Sequence, residues 1–364
     1  MAHRTLISPK PHIGDVRDPN SLYNHMRAYL QWREERQFRP QTVSRDEDNL
    51  RYFITWCDER GLARPQEITR PILERYQRYL FLYRKSDKHP LSVSTQRSRV
   101  TSISSYFTWL AKQNHVLYNP ASDLDMPRMG QRLPKHILSI KEIETILALP
   151  DLGTGLGVRD KAMLETLYST GMRRSELLHL SVFSLDYERG SVMIRQGKGN
   201  KDRLIPIGER ALQWIAKYRD DVRGDLATSA SGETLFLTQS GDMLTTGRLS
   251  GLVRDYIEKA DINKTGSCHL FRHSMATMML ENGADIRFIQ AMLGHVSIAT
   301  TQLYTHVNIR KLKDIHNATH PGRVIAAEPH SHTSEHGSQK SASTALLNLL
   351  LQEAEHDSND EQDD

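Results

Sequence analysis

Cysteine is nearly absent: Cys57 and Cys268 are the only two in 364 residues, too few for a disulfide framework or a thiolate zinc cage. Both are expected to be buried thiols. No apolar run approaches the roughly 20 residues that a membrane-spanning helix requires. Met1 to Pro19 lacks the short apolar stretch of a secretory signal, so a cytoplasmic protein is expected, with no membrane partner. No acidic cluster is spaced for two magnesium ions. A His-x-His pattern at His330 and His332, with His336 nearby, falls in a polar tail and weighs little. No metal and no cofactor are expected.

What is present fits two domains better than one, because single cores stop growing well below this length. Hydrophobic residues make up 38% and charged residues 25% of the chain, an ordinary globular balance. The net charge of +4 hides an asymmetry: residues 353 to 364 hold seven acids and no lysine or arginine, which leaves residues 1 to 352 at +11. A basic body with an acidic end is compatible with a polyanionic partner.

From Ser21 to Gln113 the sequence reads as four helices separated by Phe38-Arg39-Pro40, Gly61 to Pro65 and Ser86 to Pro90. Apolar residues recur at helical spacing in Leu50, Phe53, Ile54 and Cys57, in Ile72, Tyr76, Leu80 and Tyr83, and in Val100, Ile103, Phe107 and Leu110. Between Arg84 and Lys112, the bases Arg84, Lys85, Lys88, Arg97, Arg99 and Lys112 meet a single acid, Asp87. That stretch could face phosphates or be a solvated helix surface. Asn119 to Lys135, with Pro120, Pro127, Gly130 and Pro134, reads as an extended basic linker.

A second domain opens at Ser139-Ile140-Lys141-Glu142, a capping-box pattern. Helices are expected at 158–169, 174–181, 208–222, 246–259, 270–281, 285–293 and 297–305. Strands are expected at Ser191–Arg195 and Arg203–Pro206, flanking the turn Gly197-Lys198-Gly199-Asn200, with Thr234–Leu237 as a further candidate. The fold class is therefore mainly α with a small antiparallel sheet. The expected divisions are an extension at 1–19, a helical domain at 20–118, a linker at 119–137, a second domain at 138–321, and a largely disordered tail at 322–364.

Four features of the second domain carry chemistry. Arg173 and Arg174 sit at a turn-to-helix junction, where guanidinium groups and helix amides can hold phosphate. Lys198 lies at a glycine-flanked hairpin tip, with Lys201 beside it. His269 and Arg272 are three residues apart, hence on one face of a helical turn. His295 precedes Tyr304 by nine residues. Each alone is more simply a surface or structural residue; their conjunction is not.

In this order and spacing, Arg173, Lys198, His269, Arg272, His295 and Tyr304 resemble the tyrosine site-specific recombinase family, which includes the phage integrases, and especially its Xer-like branch. The segments Leu293-Gly294-His295 and Thr300 to Val307 are similar to the family's nucleophile box, and Gly197 to Lys201 to its lysine hairpin. One departure is Phe271, where leucine is commoner. The resemblance covers residues 20 to 321 and implies a two-domain DNA clamp with a helical core-binding domain and a catalytic domain. It implies that Tyr304 attacks a phosphodiester to form a 3′-phosphotyrosine, without metal or ATP. His269 would be the base, Arg173 and Arg272 the phosphate ligands, Lys198 the acid, and His295 a hydrogen-bond donor, with Glu176 orienting Arg173 or His269. Arg84, Lys85, Lys88, Arg97, Arg99, Arg174 and Lys201 are the expected DNA contacts. The expected partners are a double-stranded recombination site and three further copies, forming a tetramer through a Holliday junction in integration, excision or dimer resolution, near the nucleoid.

Three rivals fit less well. A type IB topoisomerase would share the site chemistry but not the compact Xer-like order. A silent DNA-binding protein would be expected to lack Tyr304 or an arginine. A helical scaffold would need none of these groups. After Tyr304, Ile309, Leu312 and Ile315 form a stripe that could dock on a neighbouring copy or on its own domain. The tail beyond Gly322 tilts the reading toward a mobile-element enzyme. Its leucines, from Ala345 to Leu351, need a covering surface, supplied by an accessory protein or by the body itself.

Overall fold

The computed structural model describes residues 13–128, 137–195, 202–294 and 309–321. Contacts divide the chain into two compact units, residues 1–130 and 131–364.

The first unit is built from α1 (Leu22–Glu35), α2 (Pro40–Asp58), α3 (Arg70–Leu82) and α4 (Val93–Lys112). Their starts follow local chemistry. Ser21 accepts a hydrogen bond from the Asn24 amide, and Ser92 one from that of Thr95. Pro40 opens α2, where its missing N–H is not needed. The apolar stripes converge on Tyr29, Phe53, Tyr76, Tyr106 and Phe107, all buried, each aromatic contributing about 1.5–3 kcal/mol or more through burial. An ion pair between Arg33 and Asp46 lies inside this unit. Ser102 donates to the same carboxylate at 2.6 Å.

The segment read as an extended linker is anchored over its described part. Ala121, Leu124 and Met126 pack against the first core. Gln77 donates to the Asp125 carbonyl at 2.7 Å and Arg97 to that of Pro127 at 2.6 Å. A few apolar residues among prolines suffice to fasten a chain that has no helical period of its own.

The second unit comprises α5 (Ile140–Ala148), α6 (Gly155–Thr170), α7 (Arg174–Leu178), β1 (Leu185–Asp186), β2 (Ser191–Ile194), β3 (Arg203–Pro206), α8 (Glu209–Asp221), α9 (Arg223–Leu226), α10 (Thr246–Lys259), α11 (Cys268–Glu281), α12 (Ile286–Leu293) and α13 (Ile309–Thr319). The strands form an antiparallel sheet in the order β1-β2-β3, with Val192 opposite Ile205. The capping box at Ser139 forms: Ser139 accepts from the Glu142 amide at 3.3 Å and Glu142 from that of Ser139 at 2.6 Å.

Helix α6 is the centre. From Gly157 to Thr170 only Lys161 escapes burial, as expected of a helix covered on all sides. Its charged pair Arg159 and Asp160 is satisfied internally, with Arg159 also donating to the Leu237 carbonyl at 2.9 Å and Tyr256 to Asp160 at 3.0 Å. Helix α13 lies against this centre. His316 and His320 donate from Nε2 to the carbonyls of Ser169 and Tyr168, at 2.8 and 3.0 Å. Ile315 packs on the same core.

The structure differs from expectation in several places. Thr234–Leu237 is not a strand; it makes isolated bridges from Ser181 to Thr234 and from Leu237 to Met243, and its apolar run is a buried loop. The third strand is Leu185–Asp186, too short for alternation to reveal. Helix α7 stops at Leu178 instead of 181. The expected helix at 297–305, the turn Gly197–Asn200 and the tail from residue 322 lie outside the described residues, as do the side chains of Ile309 and Leu312.

Candidate active site

Two left-handed glycines aim the chain at the site. Gly171 ends α6 at φ 58° and Gly294 ends α12 at φ 67°, a conformation that costs other residues dearly. A Cβ on Gly171 would collide with the Met275 methyl. Arg173 follows the first turn and His295 the second.

Arg272, on α11, ties these turns together. Its Nη1 donates to the Gly171 carbonyl at 2.6 Å and its Nη2 to that of Leu293 at 2.9 Å. The side chain is buried. His269 stands one turn earlier on α11, half-buried, with Nδ1 3.4 Å from the Ser267 hydroxyl. Its ring lies 6.0 Å, edge to face, from that of buried His273.

Arg173 occupies the N-cap of α7. Its amide donates to Glu176 Oε2 at 2.9 Å and its Nη1 to Oε1 at 3.0 Å. Arg203, at the start of β3, reaches the same carboxylate with two prongs: Nη1 to Oε1 at 2.8 Å and Nη2 to Oε2 at 2.7 Å. Burial pushes the Glu176 carboxyl up, but the Arg203 hydrogen bonds and charge, then the charges of Arg173 and Arg272, overcome it and hold it at about 2. One carboxylate thus stands among three guanidinium groups. Planar forked cations of this kind suit a phosphate.

The structure therefore brings Arg173, Arg272 and Glu176 together, with His269 on the helix that carries Arg272. Lys198, Lys201, His295 and Tyr304 lie outside the described residues. Among the expected DNA contacts, Arg84 and Lys88 are exposed and Lys85 is half-buried; Arg84 also caps the carbonyls of Phe81, Leu82 and Tyr83. Arg97 is half-buried on the Pro127 carbonyl.

Arg99 and Arg174 lie deeper than a charge tally implies. Arg99 is buried, its guanidinium 3.9 Å from the Tyr52 ring centre, because it falls on the face of α4 that carries Gln96, Val100 and Ile103. Arg174 is buried too, and donates to the Ser250 hydroxyl on α10 at 3.1 Å. Arg203 escaped the sequence reading, since nothing in its spacing separates it from other arginines. Among the described residues no group of three His, Cys, Asp or Glu side chains could hold a metal ion, and no helix is long and apolar enough to cross a membrane.

Residues 136–311 match the model of the phage integrase family. The chain is 46% identical over 303 residues to tyrosine recombinase XerC 2 of Ralstonia nicotianae, covering 83% of this chain and 87% of that one. It is 36% identical over 290 residues to tyrosine recombinase XerD of Chlorobaculum tepidum, covering 79% and 92%. Its fold is shared with a lambda integrase tetramer bound to a Holliday junction, at a TM-score of 0.56 and 18% identity, over 85% of this chain and 80% of that one. Long, near-complete matches of this kind do not arise from a shared fold alone, and the chain belongs to the tyrosine recombinase family, in its Xer-like branch.

Proposed function

We propose that this recombinase cuts and rejoins DNA through Tyr304, with Arg173 and Arg272 gripping the scissile phosphate. The observation that carries the reading is the convergence of those two guanidinium groups, from separate segments, on the Gly171 turn and Glu176. The Tyr304 oxygen attacks phosphorus, the bond to the 5′ oxygen breaks, and a 3′-phosphotyrosine forms. The 5′-hydroxyl of a partner strand then attacks this linkage and releases the tyrosine. Bond energy is conserved, so no nucleotide is consumed.

The remaining roles follow from charge. A phenol has a pKa near 10, about three units above neutral pH, so it needs a proton acceptor as it attacks; His269 serves. Negative charge grows on the non-bridging oxygens, where two forked cations have the most effect. Lys198 protonates the leaving oxygen, His295 donates to the phosphate, and Glu176 orients Arg173.

Residues 20–118 act as a DNA-binding domain beside the catalytic residues 138–321, with Arg84, Lys85, Lys88, Arg97 and Lys201 at the duplex. Four copies assemble on two duplexes, which supply four cleavage positions; the lambda integrase tetramer, which shares this fold, supports that count. The tail carries a docking segment for an accessory protein. The enzyme acts in the cytoplasm, at the nucleoid.

A nicked suicide substrate, on which the released 5′ end diffuses away, tests the chemistry. The unaltered chain should trap as a covalent adduct, and Tyr304→Phe should bind DNA without forming one. The same adduct from the mutant would reassign the nucleophile.

A further inference from the structure

Glu176 has two oxygens, and each accepts one hydrogen bond from Arg203 and one from Arg173. Arg203 therefore occupies the geometry that a two-pronged Arg173 to Glu176 pair would need. A forked guanidinium and a buried carboxylate make a strong pair when nothing competes. Without Arg203, Arg173 would be drawn further into that pair, and more of its charge would be taken up by Glu176 before any phosphate arrived. Arg203 also reaches elsewhere: its Nε donates to the Met292 carbonyl at 3.2 Å. A Cβ on Gly294 would lie 2.9 Å from the Arg203 Cζ, so the glycine turn before His295 is shaped around this guanidinium. Arg203 thus joins the start of β3, shortly after Lys198 in sequence, to the end of α12 and to the first turn of α7.

We infer that Arg203 is a positioning residue for strand cleavage, which saturates Glu176 so that Arg173 remains directed to the scissile phosphate. This rests on the role proposed above for Arg173. The role is electrostatic and acts through another group, which separates it from a simple packing contribution. If Arg203 keeps Arg173 charged toward phosphate, its importance must depend on how much negative charge the phosphate carries.

Single-turnover cleavage by the full chain measures this on two suicide substrates, one with an ordinary scissile phosphodiester and one with a methylphosphonate, whose neutral methyl replaces a charged oxygen. On the phosphodiester, Arg203→Ala should cleave about 10²-fold more slowly, the scale of a misplaced catalytic group, with DNA affinity nearly unchanged. On the methylphosphonate the deficit should shrink to a few-fold at most. Arg203→Lys keeps the charge but offers one prong, and should show a smaller deficit with the same dependence on substrate. It also serves if the alanine variant does not fold. Equal deficits on both substrates would reduce Arg203 to a structural residue, and a lysine variant as fast as the unaltered chain would overturn the inference. Arg173→Ala and Tyr304→Phe run alongside. Adducts from these two at full rate would sink the reading of the site itself, whereas their loss with an active Arg203→Ala would sink the inference alone.

Discussion

Two buried charge clusters, one in each unit, are built differently. In the helical unit Arg33 meets Asp46 one to one, and Ser102 fills a further position on the carboxylate. In the second unit one carboxylate, Glu176, stands among Arg173, Arg203 and Arg272. The first arrangement is complete without a ligand. The second gathers three forked cations around one carboxylate, an arrangement suited to an approaching anion. Buried arginine is thus not by itself a mark of function.

That contrast predicts different failures. The largest effect on stability should come from Asp46→Ala, which leaves Arg33 uncompensated and should cost about 3–5 kcal/mol. Urea unfolding would measure it, while the cleavage step of the folded fraction stays unchanged. A small stability loss would mean that water reaches Arg33. Arg173→Ala should do the reverse, reducing transition-state stabilisation by about 2.7–4 kcal/mol with little change in the unfolding midpoint. If instead the midpoint falls and single-turnover cleavage survives, Arg173 belongs with Arg33 as structure.

A third cluster carries no charge in the fold. His316 and His320 stack at 4.6 Å between ring centres, and burial lowers both pKa values below the ordinary 6.5. Both stay neutral when folded, whereas the unfolded chain takes up protons below 6.5. Their neutral packing therefore supports the fold fully above that value and is lost as pH falls through it. Hydrogen exchange should show α13 losing protection between about pH 6.5 and 5, before α1 to α4. Uniform protection of α13 across that window would show that something else holds it.

The smallest effects concern DNA binding. Arg84→Ala or Lys88→Ala should weaken binding on all sequences and reduce the salt slope by about 1 each. Arg174→Ala should leave that slope unchanged, since its guanidinium faces Ser250. A slope change for Arg174→Ala would place its guanidinium at the duplex.

The helices were legible because apolar spacing and capping act over a few residues: Ser139 and Glu142 close their box as their spacing implies, and α10 begins and ends where its pattern does. The strand Leu185–Asp186 was not, because two residues hold no period. The pairing of His269 with Arg272 on one helix could be read from their spacing. That Arg99 and Arg174 face inward could not, since charge tallies take no account of which helix face meets a neighbour.

By itself the sequence determined the helical framework, the order of the candidate site residues and the family to which they point, all of them encoded locally. Tertiary structure decided how the site is tied together. Arg272 reaches the Gly171 carbonyl across 101 positions and Arg203 reaches Glu176 across 27. Such bonds depend on where rigid elements come to rest, and a guanidinium shows nothing in its own neighbourhood of the carboxylate that will hold it.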